Sequence, residues 1–139
     1  VARAPLGAEV WLDGGHNPGA GQVIAHVMSD LEERVSRPLF LVVGMLQTKD
    51  PVGFFQSFDG LVRHVFTVPI KDHAVARTPE DLAEIAGAAG LSAQPVGSVG
   101  EALDRLHPWE PLEPAPRVLI CGSLYLSGEV LAENDQAPK

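Results

Sequence analysis

The sequence predicts an α/β domain with an open, mostly parallel, Rossmann-like sheet and helices on both faces. Two observations predict this fold class. The 139-residue chain alternates strand-like and helix-like segments five times, and residues 39–43 and 117–121 are continuous apolar runs of the kind found in strands covered on both sides. A chain of this length fits one domain. We expect it to span residues 1–132, followed by a disordered tail over 133–139.

The first strand–helix unit has the clearest local signals. Residues 9–12 read as a short strand, and a glycine turn follows. Asn17 is a good N-cap and Pro18 suits the first helical position, so a helix is expected to begin there. Arg37-Pro38 ends it. Apolar residues at helical spacing predict its buried face, which consists of Ala20, Val23, Ile24, Val27, Met28, Leu31 and Val35.

The remaining units follow the same pattern. Further strands are predicted at 39–43, 64–68, 93–96 and 117–121. Helix-start signals stand between or after them, at Asp50-Pro51, Thr78–Asp81, Ser98–Glu101 and Gly122-Ser123. In open parallel sheets ligands bind at the carboxyl ends of the strands. The conspicuous glycine and polar segments of this sequence fall mostly at those ends.

Charge and composition exclude several classes of function. The net charge is −8, from 10 Lys plus Arg against 18 Asp plus Glu, so nucleic-acid binding by a broad basic surface is not expected. No apolar run is long enough for a transmembrane helix. The single cysteine, Cys121, cannot form an internal disulfide, which agrees with a cytoplasmic protein. Outside the candidate segments, His26, His64 and His107 show no metal-ligand spacing, so no zinc site is expected.

The segment Leu-Asp-Gly-Gly-His-Asn-Pro, residues 12–18, holds the strongest candidates for chemistry. Its glycines allow a sharp turn and a close approach to a ligand. Asp13 can accept hydrogen bonds from the two hydroxyls of a ribose, and His16 can donate to a phosphate oxygen or stack on a base. The helix expected at Asn17 would direct free N–H groups to the same place. The same residues also fit a plain strand-to-helix turn capped by Asn17.

Three segments carry a resemblance to a known family. Residues 12–18, LDGGHNP, look like the LDGAHNP signature of the folylpolyglutamate and dihydrofolate synthases, within the Mur ligase superfamily. Residues 44–50, GMLQTKD, resemble the family's GML–x–x–KD loop, and 121–126, CGSLYL, match its C-terminal segment. They follow in the family's order and spacing. The visible departure is Gly15, where alanine is usual.

The resemblance implies a fold of the Mur ligase C-terminal domain type and an ATP-dependent amide ligase. Such a ligase adds L-glutamate to folate or dihydropteroate through an acyl phosphate. In that family the C-terminal domain closes on a central P-loop ATPase domain, which holds most of the Mg²⁺ contacts. This sequence contains no GxxxxGK[ST] motif. We therefore expect one lobe of a longer, monomeric enzyme that has no activity as an isolated domain, with its own N-terminal ATPase domain as its partner.

By the same resemblance, Asp13 would contact the ATP ribose. His16 would lie near the phosphates or the incoming glutamate and take part in catalysis. Asn17 is an ATP-binding candidate, although capping explains it at least as well. Ser123 is a candidate for the glutamate carboxylate, against a plain N-cap. Lys49 is a candidate for the glutamate, for a ligand phosphate or for a pair across the domain interface, against a solvated loop lysine.

Two alternatives stay open at this point. A Mur-type peptidoglycan ligase domain shares the fold and an HNP-like turn, but the CGSLYL segment favours the folate branch. A stand-alone nucleotide- or anion-binding module is the alternative from a different class. Within the folate branch, the sequence does not separate dihydrofolate synthase from folylpolyglutamate synthase, or either from an enzyme that does both. Lys71–His73 is a weaker site candidate.

Overall fold

The protein is described by a computed structural model that covers residues 9–12, 18–46, 51–70, 76–106 and 116–121. Within these residues, five strands form one sheet in the order β1-β5-β2-β3-β4, and every neighbouring pair is parallel. The strands are β1 (Glu9–Leu12), β2 (Leu39–Val43), β3 (His64–Thr67), β4 (Ala93–Pro95) and β5 (Arg117–Cys121). The helices between them are α1 (Pro18–Arg34), α2 (Pro51–Gln56), α3 (Pro79–Ala88) and α4 (Val99–Asp104).

Helices cover both faces of the sheet, as the alternating pattern predicted. One apolar cluster joins α1, α2 and α3 to alternate residues of β2 and β5, and a second joins α4 to the residues between them. Parallel crossovers are right-handed. The steps from β1 through β2 and β3 to β4 therefore run over one face, and the return from β4 to β5 runs over the other. The open, parallel α/β fold is confirmed.

The two central strands show why the apolar runs were informative. All five residues of β2 and all five of β5 are buried. Side chains alternate between the faces, so Leu41 and Leu119 pack in the first cluster, whereas Val42 and Ile120 pack in the second. A strand covered on both sides has no polar face, which accounts for the continuous apolar sequence.

The predicted buried face of α1 is wrong in part. Val23 and Val35 are 67% and 52% exposed, and Val27 is also exposed. Met28 is buried as predicted, with 1% of its surface exposed, and Ala25, which was not predicted, is also buried, with 7% exposed. The small residue Gly21 lets α1 approach Phe54 of α2 closely, whereas Val23 and Val27 stay on the outer side of the helix. Val35 lies just beyond the end of α1.

The helix-capping signals in the sequence are confirmed where the structure describes them. Thr78 Oγ1 accepts a hydrogen bond from the amide of Asp81 over 3.1 Å at the start of α3. Ser98 Oγ accepts one from Glu101 N over 3.0 Å at the start of α4. Gly90 follows α3 with a φ of 95°, a left-handed conformation that glycine adopts without strain. The predicted last helix and the tail over 133–139 lie outside the described residues.

Candidate functional site

The carboxyl ends of three neighbouring strands meet at one edge of the sheet. Leu12 of β1 pairs with Ile120 of β5, and Cys121 of β5 pairs with Val43 of β2. The three segments that carry the family resemblance follow these strand ends directly. The chain therefore enters all three from adjacent positions on the edge where open parallel sheets bind ligands.

The side chains predicted to do the chemistry are not among those that the structure describes. Asp13, His16, Asn17, Lys49 and Ser123 all lie outside the described residues, and their roles stay predictions. The loop at 71–73 is outside them as well. What the structure defines is the frame that carries these residues, namely the strand ends before them and the helices after them.

The frame is extended beyond the end of β2 by backbone hydrogen bonds. Gly44 N donates to Cys121 O over 3.4 Å, and Arg77 N donates to Met45 O over 2.9 Å. Leu46 forms an isolated antiparallel bridge with Ala76. The chain is thus held for three residues past the strand before it reaches the segment with Lys49.

Arg77 is a cation at this edge that sequence reasoning did not single out. Its Nη1 lies 2.9 Å from Asp81 Oδ2 in the first turn of α3, and its side chain is 23% exposed. The bond from Arg77 N to Met45 O ties it to the end of β2. An arginine directly before the Thr78 capping box was the available signal, but the box alone explained the helix start. The ion pair with Asp81 indicates that Arg77 positions the start of α3, and this role is enough to explain an arginine here.

The start of α3 is also fixed from the strand beside it. The side chain of Thr67, at the end of β3, is fully buried, and its hydroxyl donates to Pro79 O over 2.6 Å. A buried hydroxyl needs such a partner, because leaving it without one costs about 1–3 kcal/mol. The bond from Thr67 to Pro79 O and the bond from Arg77 N to Met45 O thus join the start of α3 to the ends of β3 and β2.

The beginning of α1, which directly follows residues 13–17, is fixed by contact with α2. Gly21 is buried in the first turns of α1, and a Cβ built on it would lie 3.0 Å from Phe54 Cδ1. Phe54 is itself fully buried. The close approach sets the direction from which α1 leaves the candidate site.

At the opposite edge of the sheet, a polar network joins the amino ends of β1 and β5. Arg117 Nε donates to Glu9 Oε1 over 2.8 Å, and Trp11 Nε1 donates to the same oxygen over 2.7 Å. Arg37 Nε lies 3.8 Å from Glu9 Oε2. The hydrogen bond from Arg117, followed by that from Trp11, lowers the pKa of the Glu9 carboxyl. The carboxylate is thus kept charged beside a buried guanidinium.

Away from both edges, an open groove of about 470 Å³ runs between α1 and the turn after α2. Its polar lining includes Gln22, His26 and Asp59, and His26 lies 3.6 Å from Asp30 on the exposed side of α1. Within the described part of the chain, no cluster of three His, Cys, Asp or Glu side chains could hold a metal ion. In the same part, no helix has the length and apolar character needed to cross a membrane.

Comparison with known protein families decides the identity of the domain. The family described as "Dihydrofolate synthetase, C-terminal domain" matches residues 4–133. The chain belongs to this family. The resemblance seen in the three sequence segments is therefore confirmed, and the peptidoglycan-ligase and stand-alone-module alternatives are not favoured. The chain has no significant match among curated proteins.

Solved structures agree with this dihydrofolate synthetase domain in fold. Escherichia coli FolC in complex with DHPP and ADP is 26% identical with a TM-score of 0.75, over 91% of this chain and 28% of that one. The Yersinia pestis bifunctional folylpolyglutamate synthase/dihydrofolate synthase complexed with AMPPNP and Mn ion is 24% identical with a TM-score of 0.73, over 91% and 28%. Mycobacterium tuberculosis folylpolyglutamate synthase complexed with ADP is 19% identical with a TM-score of 0.73, over 94% of this chain and 30% of that one. The chain thus spans less than a third of each of these proteins.

Proposed function

We propose that this chain is the C-terminal domain of an ATP-dependent ligase that joins L-glutamate to dihydropteroate, to folate or to both. The observation that carries the proposal is the family match over residues 4–133. Residues 1–132 are taken as the domain and 133–139 as its tail. The intact enzyme is proposed to act as a monomer in the cytoplasm, which suits a chain whose single cysteine, Cys121, is buried.

The proposed reaction has two steps. The γ-phosphate of ATP is transferred to a carboxylate of the pteridine substrate, which gives an acyl phosphate and ADP. The amine of glutamate then attacks the acyl carbon, the C–O bond to phosphate breaks, and an amide forms with release of phosphate and a proton. Mg²⁺ would be held mainly by the N-terminal ATPase domain and, when bound, would supply positive charge beside the phosphates. Complexes of the relatives with ADP, or with AMPPNP and Mn ion, support the nucleotide and the divalent metal.

The proposed nucleotide contacts come from residues 13–17. Asp13 accepts hydrogen bonds from the ribose hydroxyls, His16 stabilises charge on the phosphates as they react, and Asn17 caps α1 or contacts the nucleotide. These roles rest on the family resemblance. They are supported by the frame, because β1 ends at Leu12 on the ligand-binding edge and α1 begins at Pro18. Backbone N–H groups at a helix N-terminus favour phosphate at such a position.

The proposed glutamate contacts come from the neighbouring strands. Ser123 follows β5 and Lys49 follows the extension of β2, and these two strands are hydrogen-bonded neighbours. Adjacent strands lie about 4.8 Å apart, so the strand ends that lead into the two segments are close together. Both residues are candidates for holding a glutamate carboxylate beside the nucleotide.

The test is a ligase assay on the intact protein. Incubation with ATP, Mg²⁺, glutamate and either dihydropteroate or tetrahydrofolate should release one phosphate for each glutamate joined. The chain alone should have no activity, because it lacks the phosphate-binding loop that would orient ATP for transfer. Intact protein that ligates an amino acid to a peptidoglycan precursor, and not to a pteridine substrate, would overturn the proposal.

A further inference from the structure

Arg117 is a buried cation with two described partners on different elements. Its side chain is 3% exposed, yet it stands at the first position of a central strand. Its Nε donates to Glu9 Oε1 over 2.8 Å, and its Nη2 donates to Val35 O over 3.3 Å. A buried guanidinium with such partners holds them in place, because moving either one leaves a buried charge without its hydrogen bond.

The two partners lie at the far ends of the elements on either side of residues 13–17. Glu9 is the first residue of β1, which runs up to Leu12 just before that segment. Val35 directly follows α1, which begins at Pro18 just after it. The Arg117 side chain is therefore hydrogen-bonded both to β1, which leads into residues 13–17, and to the residue after α1, the helix that follows them.

The hydrogen bond from Arg117 matters for β1 because the packing of this strand alone does little to fix its register. β1 is an edge strand of four residues, and its only described partner is β5. None of its four residues is fully buried, and Leu12 is 37% exposed. The buried face of a strand specifies its register, and β1 has no fully buried face. A shift of two residues would keep each side chain on its face but would remove Glu9 from Arg117.

Trp11 adds to the same arrangement. It lies two positions after Glu9, packs on the first apolar cluster and donates to Glu9 Oε1 over 2.7 Å. The carboxylate oxygen is thus shared by the strand's own tryptophan and by the arginine of the neighbouring strand. These hydrogen bonds fix the register of β1 against β5 and the position of the C-terminal end of α1 relative to the sheet.

We propose that Arg117 is a positioning residue for the nucleotide-binding segment, acting through Glu9 on β1 and through the Val35 carbonyl on α1. The role assigned to residues 13–17 rests on the proposed function. The mechanical part of the proposal is that Arg117 holds this segment in place from the opposite edge of the sheet. This part does not depend on the proposed function. The two parts are therefore tested by separate measurements.

The mechanical part is tested by hydrogen exchange in the intact protein without nucleotide. Arg117→Met keeps an unbranched side chain but removes both hydrogen bonds, and it should speed exchange at least about tenfold over residues 9–17. Glu9→Gln, at a partly exposed site, is the second variant in case Arg117→Met does not fold. Arg105→Met is the matched control, because it makes the same substitution at an exposed arginine, whose Nε lies 3.7 Å from Glu101 Oε2 on α4. Unchanged exchange over 13–17 in both test variants, or an equal increase in the control, overturns the proposal.

The functional part is tested by kinetics on the same proteins. Arg117→Met should raise the KM for ATP about tenfold, while the KM for glutamate stays within about twofold, because the loss is confined to ATP binding. A variant that is merely less stable would instead show normal KM values and less active protein. In the double variant Arg117→Met/Asp13→Ala, the two effects on the KM for ATP should not add, since both substitutions remove the contact between Asp13 and the ribose. Additive effects overturn the link through Asp13. Absence of ligase activity in the wild type refutes the proposed function and leaves the exchange result to decide the mechanical claim.

Discussion

Gly21 in α1 lies against Phe54 in α2, so closely that a Cβ on Gly21 would sit 3.0 Å from Phe54 Cδ1 and 3.3 Å from Phe54 Cα. The ring atom can move a little, but the backbone atom cannot move without shifting α2. The glycine thus sets the spacing of the two helices, and with it the direction in which α1 leaves the candidate site.

Gly21→Ala should therefore destabilise the domain by about 1 kcal/mol. Alanine gains up to about 1 kcal/mol over glycine in a helix, but overpacking a close contact costs about 1–3 kcal/mol. Gly87→Ala in α3 is the matched control, because a Cβ there meets nothing within 4 Å, and it should stabilise by about 0.5–1 kcal/mol. Urea unfolding of the chain measures both. Stabilisation of equal size at the two positions would show that the α1–α2 contact is not tight.

The cap of α4 gives a second stability prediction. Ser98 Oγ accepts a hydrogen bond from Glu101 N, and Glu101 Oε2 accepts one from Gly97 N over 3.0 Å. Ser98→Ala should lower the free energy of unfolding by about 1 kcal/mol, whereas Ser98→Gly should lower it by only a few tenths. Urea titrations of the two variants give the comparison. Equal losses would mean that the hydroxyl bond is not what stabilises the helix start.

The Glu9 carboxyl makes stability depend on pH. Its pKa is lowered from an ordinary value of 4.5, first by the hydrogen bond from Arg117 and then by that from Trp11. A carboxyl with a lowered folded-state pKa stabilises the fold above its unfolded-state pKa, and that contribution is lost as pH falls through the folded-state value. The wild type should therefore lose stability as the pH falls below about 4.5.

Glu9→Gln should be less stable than the wild type at neutral pH and should approach it in acid, since the amide cannot titrate. Unfolding free energies measured at several values between about pH 3 and 7 test this. Because Glu9 is 37% exposed, solvent screening reduces the effect. A constant difference between the two proteins across the range would show that the charge of Glu9 does not contribute.

Much of this fold could be predicted from local sequence. The buried strands β2 and β5 were visible as apolar runs, and the starts of α3 and α4 as capping patterns at Thr78 and Ser98, because both signals act within a few residues. The buried face of α1 was misassigned in part, at Val23 and Val27. Helical spacing selects apolar residues, whereas the contact with Phe54 favours small ones such as Gly21.

The polar network could not be predicted for a different reason. Glu9 and Arg117 are 108 positions apart, and they meet only because β5 inserts between β1 and β2. No local pattern specifies that strand order. For the candidate site, the sequence placed the three segments after the right strands, whereas the side chains of Asp13 and His16 lie outside the described residues.

Asp13 should contribute to nucleotide binding more than to chemistry. If it binds the ribose equally in the ground and transition states, Asp13→Ala raises the KM for ATP, by about tenfold, and changes kcat much less. Steady-state kinetics of the intact protein with ATP and glutamate varied in turn measure this. A normal KM for ATP combined with a lower melting temperature would show that Asp13 has only a structural role in the turn.

The most direct test is the kcat of His16→Ala in the intact protein, measured with saturating ATP and glutamate beside a thermal unfolding curve. A preorganised donor at the reacting phosphate typically contributes ~3 kcal/mol, so kcat should fall by roughly 10²–10³ while the melting temperature stays close to that of the wild type. A variant that keeps more than about a third of wild-type kcat has lost well under 1.4 kcal/mol and would contradict the catalytic role of His16.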